Sequence, residues 1–214
     1  MLLEVTKIIA PPGETIVMKD INWLEFEEIL EYLGERRSSR IAYDNGMLSI
    51  MTPLLENEVK KNLIHSLLNI LLEELELDFW SLGSTIFKNK IMLQGIEPDD
   101  CFYIKNESLI RGKDRIDLEI DPPPDLAIEV DLTSRRNPNI YAKLGVAELW
   151  RFEKGKLKIE ILQDGFYVNS DFSSIFTDIP VLEIIPEYLA KAKANGRNKT
   201  IKEFRQLIHH IITK

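Results

Sequence analysis

Acidic and apolar residues alternate along one strand-like segment, Asp125–Leu132, which follows three consecutive prolines. Because side chains alternate between the two faces of a strand, one face is entirely apolar and the other carries Asp125, Glu129 and Asp131. The strand rise places the Cα atoms of Glu129 and Asp131 roughly 6.5–7 Å apart. At that spacing both carboxylates can reach one divalent cation, so the segment predicts part of a metal site.

A second acidic cluster, Glu97-Pro98-Asp99-Asp100, precedes another apolar, strand-like segment. Pro98 fixes its own φ and biases Glu97 towards extended geometry, which leaves Asp99 little conformational freedom. An acid at the start of one strand and two acids within a neighbouring strand could converge on one ion. Oxygen ligands of this kind suit Mg²⁺ or Mn²⁺ rather than zinc.

The order of predicted elements indicates an α/β (α+β) fold with a mixed sheet flanked by helices. Apolar spacing and a terminal glycine predict a first helix over Asn22–Gly34, and Asn45-Gly46 predicts a tight hairpin turn. We expect Thr52 as N-cap and Pro53 as first residue of the longest helix, which ends near Leu77. The other predicted elements are strands at 40–43, 47–51, 79–82, 85–88, 90–93, 100–105 and 125–132, a helix at 140–145, a hairpin of 148–153 and 156–162, and helices at 187–194 and 199–212, with 106–121 irregular.

The longest helix has an apolar and a polar side. The apolar stripe, which we expect to be buried, consists of Leu55, Val59, Leu63, Leu67, Ile70, Leu71 and Leu75. The polar side carries Glu58, Lys61, Asn62, His65, Asn69 and Glu73.

Length and composition favour one domain over residues 1–185, with a C-terminal helical appendage of that domain over 186–214. A chain of 214 residues can bury roughly 70% of its unfolded surface, so it needs no disulfide or metal merely to fold. The single cysteine, Cys101, excludes an internal disulfide framework and a cysteine-rich zinc site. The first ten residues include Glu4 and Lys7 and lack the apolar core of a signal peptide. We therefore expect a cytoplasmic protein with no membrane partner.

The net charge of −8 disfavours a nucleic-acid partner, because phosphate binding depends on lysine and arginine. Residues 186–214, however, carry seven basic and two acidic side chains, so the acidic excess lies upstream. Carboxylates that bind a metal also count as negative until the metal arrives. The charge weakens the hypothesis of DNA binding without removing it.

Three segments in this order resemble a large bacterial family of restriction-endonuclease-like proteins within the PD-(D/E)XK nuclease superfamily. The segments are Gly95–Ile104 (GIEPDDCFYI), Pro123–Ser134 (PPDLAIEVDLTS) and Tyr141–Phe152 (YAKLGVAELWRF). Met51–Glu58 is also similar to the opening of the family's first core helix, and the resemblance spans about residues 20–185. Three ordered motifs at matching spacing are far more specific than any single acid pair.

The resemblance implies a restriction-endonuclease-like core and a Mg²⁺- or Mn²⁺-dependent site that hydrolyses nucleic-acid phosphodiesters, with DNA as the expected substrate. By this resemblance Asp99 is the aspartate of the Pro-Asp motif and Glu129 is the acid of the second motif. Both would be metal ligands, with Asp131 as a third. Because such nucleases commonly cut two strands as two-fold pairs, the resemblance also implies a homodimer.

Asp131 departs from the superfamily pattern, because many members carry at that position a lysine that positions or deprotonates water. We expect a replacement cation from Arg135 or Lys143 downstream, or from Lys88 or Lys90 upstream. We take Arg135 as the catalytic electrostatic partner. Arginine stabilises phosphate charge but cannot act as a base at neutral pH.

Two other functions remain open at this point. The protein could be a catalytically inactive nucleic-acid- or protein-binding module on the same fold, or a metal-dependent hydrolase of a smaller phosphate ester, which would require a closed pocket. Glu129 and Asp131 could also simply lie on the solvent face of their strand. A thiol nucleophile formed by Cys101 and His65 has no support, because nothing near the cysteine would activate a thiolate.

Overall fold

The computed structural model describes residues 10–34, 37–130 and 138–213. Within these ranges the chain forms eleven strands and six helices. In chain order they are β1 (Thr15–Met18), α1 (Trp23–Leu33), β2 (Arg40–Asp44), β3 (Met47–Met51), α2 (Leu55–Glu74), β4 (Trp80–Ser81), β5 (Phe87–Asn89), β6 (Gln94–Ile96), β7 (Asp100–Tyr103), α3 (Glu107–Ile110), β8 (Leu126–Val130), α4 (Pro138–Leu144), β9 (Glu148–Glu153), β10 (Lys156–Gln163), β11 (Phe166–Ser170), α5 (Val181–Asn195) and α6 (Arg197–Ile212).

The strands form two sheets, one antiparallel and one mixed. The first has the order β1-β3-β2-β6-β5 and the second has the order β11-β10-β9-β8-β7-β4. In the second sheet β8 and β9 are parallel, with Ile128 opposite Trp150, and α4 lies in the crossover between them. The other pairings in the described ranges are antiparallel. The predicted α+β class with a mixed sheet flanked by helices is confirmed.

Strand β8 is buried on both faces, and its side chains alternate as predicted. Leu126, Ile128 and Val130 belong to the largest core cluster, together with the inner side of α2. Ala127 belongs to a separate cluster with Tyr141 of α4. All five residues of β8 are buried. The polar face of this strand is therefore not a solvent face.

Several predicted element boundaries are wrong. Thr52 does not cap α2, because its backbone is engaged with the segment before β1: its carbonyl accepts from Gly13 and its N–H donates to Glu14. The N-cap is instead Leu54, without a side-chain hydrogen bond. Residues 90–93 form the turn between β5 and β6 rather than a strand. Strands β1, β6 and β11 and the short helix α3 were not predicted.

The C-terminal helices begin earlier than predicted. Helix α5 starts at Val181 and contains Pro186, which was expected to precede the helix. Pro186 is the sixth residue of α5, so the helix forgoes the backbone hydrogen bond that an N–H at this position would donate to the carbonyl of Leu182. Tyr188 packs edge-on against Phe204 of α6 with ring centroids 4.9 Å apart, and both rings belong to the largest core cluster.

The predicted buried stripe of α2 is buried over only part of its length. Leu67, Ile70 and Leu71 are buried, as expected. Leu55 is 81% exposed and Val59 is 52% exposed, so the prediction is wrong for these two residues. Among the described residues no helix is long and apolar enough to cross a membrane.

Glu148, at the start of β9, is a fully buried carboxylate that organises the segment before α5. Its oxygens accept from the Trp150 indole (2.6 Å), the Ser173 hydroxyl (2.6 Å), and the N–H (2.8 Å) and hydroxyl (2.6 Å) of Ser174. These donors replace the water that a charged group loses on burial. The carboxylate therefore ties the 173–174 segment to the central sheet.

Replacing Glu148 with alanine should lower the free energy of unfolding by about 3–5 kcal/mol, because several buried donors lose their acceptor at once. Urea unfolding followed by circular dichroism measures the change. Glu153→Ala, at the exposed end of the same strand, is the matched control and should change stability by less than about 0.5 kcal/mol. Equal effects of the two substitutions would contradict the role given to Glu148.

Candidate active site

Asp99 is held against β8 on both sides of Glu129. Its N–H donates to the carbonyl of Ile128 at 3.1 Å, and its Oδ2 accepts from the N–H of Val130 at 2.8 Å. The β7–β8 ladder begins at the next residue, where Asp100 lies opposite Ile128. The structure thus brings the Pro-Asp motif to the backbone that flanks the acid of the second motif.

Glu129 is 1% exposed and points to the side of the sheet where α4 packs. The hydroxyl of Tyr141, itself buried in α4, donates to Oε1 of Glu129. Such a bond fixes the carboxylate's orientation and offsets part of its desolvation. Tyr141 lies in one of the three motifs, but sequence reasoning gave it no role.

Arg40, at the start of β2, is a buried cation that joins three acids. Its Nη2 lies 3.0 Å from Oε1 of Glu58, and its Nε lies 3.8 Å from Oδ1 of Asp99. Its Nη1 lies 4.0 Å from Oε1 of Glu97, whose other oxygen is 2.9 Å from Nη2 of Arg37. Sequence reasoning missed Arg40, although a single arginine in the otherwise apolar run Arg40–Tyr43 was a usable signal.

The polar side of α2 faces the same acidic turn. Glu58 and His65 are seven residues apart and so lie on one face of the helix. Besides its contact with Arg40, Glu58 pairs with Lys61 at 3.1 Å. His65 Nδ1 lies 2.8 Å from Oδ2 of Asp100. Glu58, in the first turn of α2, therefore does more than complement the helix dipole, because it contacts Arg40, which also faces Asp99.

Asp100 is oriented away from this cluster, into a network of its own. Its Oδ1 accepts from the N–H of Cys101 at 2.9 Å and from the Ser81 hydroxyl at 3.3 Å. Nε2 of His65 lies 3.1 Å from the side-chain nitrogen of Asn69. When the amide of Asn69 donates to Nε2, a neutral His65 carries its proton on Nδ1 and donates it to Asp100.

Of the four predicted site residues, Asp99 and Glu129 are described, whereas Asp131 and Arg135 lie outside the described residues. Two of the alternative cations are engaged elsewhere. Lys88 contacts Glu27 at 2.7 Å, and Lys143 contacts Asp44 at 3.1 Å. Within the described ranges, Arg40 is the cation that the structure places beside Asp99.

The donor set around Asp99 fits a hard divalent ion better than a softer one. Within the described ranges no three side chains among His, Cys, Asp and Glu converge as a ready-made metal cage. Mg²⁺ commonly uses one or two protein carboxylates and completes its shell with water and substrate phosphate oxygens. Asp99 and Glu129 therefore supply suitable donor chemistry for Mg²⁺, with Asp131 as a candidate third donor.

Cys101 is not a nucleophile in this arrangement. It is fully buried, and its Sγ donates to the carbonyl of Gly83 at 3.3 Å. Burial, with a smaller contribution from the charge of Asp100, raises the pKa of the Cys101 thiol well above its usual value. His65 is engaged with Asp100, so the thiol–imidazole pair considered from the sequence does not form.

A mixed sheet with a Pro-Asp turn bonded to the strand that carries a second buried acid is the arrangement expected of a restriction-endonuclease-like protein. Consistent with that class, residues 23–190 match the sequence model of the Uma2 family, described as "Putative restriction endonuclease". The chain belongs to this family. The match includes Asp99, Glu129 and Tyr141, and it begins upstream of Arg40. No curated protein matches the chain.

Arg40→Met should reduce the free energy of unfolding by about 3–5 kcal/mol, because removal of the cation leaves neighbouring buried carboxylates uncompensated. Arg40→Lys keeps the charge but not the planar fork, and it should give an intermediate loss. Chemical denaturation of the wild type and both variants provides the comparison. An Arg40→Met protein with the same free energy of unfolding as the wild type would show that the buried acids do not require Arg40 as a compensating cation.

Because the pKa of its thiol is raised and its side chain is buried, Cys101 should react with a chromogenic disulfide reagent at pH 8 orders of magnitude more slowly in the folded protein than in urea. The thiolate, which is the reacting species, is a minor form below the raised pKa. Absorbance during the reaction measures both rates. Similar rates in the two states would contradict the buried environment of Cys101.

Proposed function

We propose that the protein is a Mg²⁺- or Mn²⁺-dependent endonuclease that hydrolyses phosphodiester bonds in DNA. Membership of the restriction-endonuclease-like family supports the reaction class. The observation that carries the proposal is the pair of hydrogen bonds that attach Asp99 to Ile128 and Val130, on either side of Glu129. These bonds attach the Pro-Asp turn to the backbone that flanks Glu129, which supports a shared site for the two acids.

In this proposal Asp99 and Glu129 hold the ion, and Asp131 is a third ligand. The bound ion would lower the pKa of a coordinated water, neutralise the phosphate and stabilise the leaving oxygen. Tyr141 orients Glu129 through its hydroxyl. The Val130 N–H orients Asp99, and Arg40 reduces the repulsion among the neighbouring acids, so Arg40 is a positioning residue.

Arg135 is the proposed electrostatic partner of the scissile phosphate. Its guanidinium would stabilise the negative charge that develops during hydrolysis, but it would not abstract a proton at neutral pH. We also propose that two copies of the chain act as a two-fold pair, which would present one site to each strand of a duplex.

A second candidate function is a catalytically inactive nucleic-acid- or protein-binding module. One observation favours it: an aspartate, Asp131, occupies the position where many superfamily members have lysine. In addition, Lys88 and Lys143 are paired with other acids. If Arg40 serves only to compensate the buried acids and Arg135 does not face the phosphate, the site would bind its ligand but turn it over poorly.

Asp99→Asn and Glu129→Gln should each reduce DNA cleavage by about a thousandfold or more, because phosphodiester hydrolysis at a useful rate requires the ion that these carboxylates hold. Cleavage of supercoiled plasmid, single-stranded DNA and RNA in Mg²⁺ or Mn²⁺ measures the effect. Glu153→Gln, on the exposed end of β9, is the matched acid control and should retain wild-type activity.

The outcomes of the cleavage experiment distinguish the two candidate functions. Cleavage that survives both substitutions would assign the activity to another site or to a contaminant. If no substrate is cut, isothermal titration calorimetry tests whether the protein binds Mg²⁺ or Mn²⁺. Ion binding that is lost in Glu129→Gln would support the metal site. The absence of ion binding would favour the inactive binding module. Circular dichroism of each variant checks that the fold is intact.

A further inference from the structure

The exposed end of the α2 stripe identifies a surface outside the candidate active site. The stripe continues from buried Leu67 and Leu71 through Leu63 to Val59 and Leu55, at a constant spacing of four residues. Such a stripe is normally covered by another element. In the described structure the last two residues of the stripe remain 52% and 81% exposed.

Helix α6 covers α2 only from Ser66 onwards. Arg197, the first residue of α6, donates to the Ser66 hydroxyl at 2.9 Å. Eight residues later Arg205 contacts Glu73 and Glu74, each at 2.7 Å. The two helices therefore run in the same direction, and α6 begins where the exposed part of the stripe ends.

This exposed part forms one wall of a groove of about 1090 Å³, which we call the α2–α5 groove. Leu55, Val59 and Leu63 line it from α2, and Pro186 and Leu189 line it from α5. The turn between β9 and β10 closes one side. Because aliphatic side chains line both its α2 and its α5 wall, the groove is suited to apolar side chains.

The rim of the groove is basic, although the whole chain carries a net charge of −8. Its charged lining residues are Lys60, Lys154, Lys193, Arg197 and a single acid, Glu56. Glu56 pairs with Lys60 at 3.1 Å. The local charge is therefore opposite in sign to that of the chain as a whole, and it favours an acidic partner.

We propose that the α2–α5 groove docks one acidic amphipathic helix of a partner protein. The strip from Leu55 to Leu63 is about 12 Å long at 1.5 Å per residue, which matches two to three turns of a helix with apolar anchors at i and i+4. Acidic residues beside those anchors would meet the basic rim.

Two other classes of ligand fit the groove less well. A small apolar molecule is normally enclosed over about 70–90% of its surface, whereas Leu55 and Val59 are open to solvent. Single-stranded nucleic acid would need exposed aromatic rings for base stacking, and the aromatic residue of the lining, Phe152, is buried.

The groove adjoins the candidate active site through α2. Val59 in the groove is followed within one turn by Lys61 and preceded by Glu58, which contact each other on the side that faces Arg40. A docked helix would therefore rest on the helical turn that positions Glu58. Docking itself does not depend on the proposed nuclease activity, so the two can fail separately.

The test measures binding of a fluorescein-labelled helical peptide of about 14 residues, with leucine at i, i+4 and i+8 and glutamate on the flanks, to the full chain by fluorescence anisotropy. Leu55→Asp should weaken binding about tenfold or more, which corresponds to about 1.4 kcal/mol. Leu24→Asp, at an exposed leucine of α1, is the matched control and should leave binding unchanged. Both positions are exposed, so both variants should fold.

A second experiment tests whether the basic rim of the groove contributes to binding. Lys193→Glu should weaken binding of the acidic peptide several-fold at low salt, and the difference should shrink as salt screens the rim. A matched peptide with lysine in place of glutamate should bind the wild type at least about tenfold more weakly.

Several results would overturn the proposal: no binding of the acidic peptide, equal effects of Leu55→Asp and Leu24→Asp, or equal binding of the acidic and basic peptides. Binding that occurs only after deletion of residues 1–9 would assign the groove to the chain's own first residues. A wild-type dimer that Leu55→Asp dissociates in sedimentation would assign it to a second copy of the chain.

Discussion

Carboxylates buried around the β7–β8 pair constrain the rest of this fold. A buried carboxylate is stable only where hydrogen bonds or cations replace the lost water. Asp99 takes its partners from the β8 backbone and from Arg40 of β2. Asp100 and Glu129 reach outward in different directions, to α2 and α4. Both sheets and two helices must therefore be in place before these acids are compensated, which couples assembly of the fold to assembly of the candidate site.

Local signals predicted much of this architecture. The Asn45-Gly46 turn has both residues at positive φ, as the tight hairpin requires, and α1 begins at a reciprocal capping box between Asn22 and Glu25. The alternation along β8 gave the correct faces because both faces are packed against distinct cores. Where a short-range sequence pattern agrees with the tertiary environment, the sequence alone is sufficient to predict the local structure.

Long-range pairing accounts for what was missed. Arg40 acquires its role from acids that lie 18 or more residues away in the chain, and no spacing rule connects them. Thr52 is a residue type that commonly caps helices. Its backbone, however, is held by hydrogen bonds with Gly13 and Glu14, so the helix does not begin there. At Leu55 and Val59 the helical pattern was correct and the inferred burial was not, because periodicity identifies an apolar face without identifying what covers it.

The contact between α2 and α6 has a consequence for how the chain is made. Ser66 and Arg197 are 131 residues apart, so most of the chain must be synthesised before α6 can cover the apolar side of α2. Until then Leu67 and Leu71 must be shielded by other parts of the chain or by a chaperone, since exposed apolar helices of partly made chains aggregate. Helix α6 therefore completes the cover of α2 only after residues 66–197 have been synthesised.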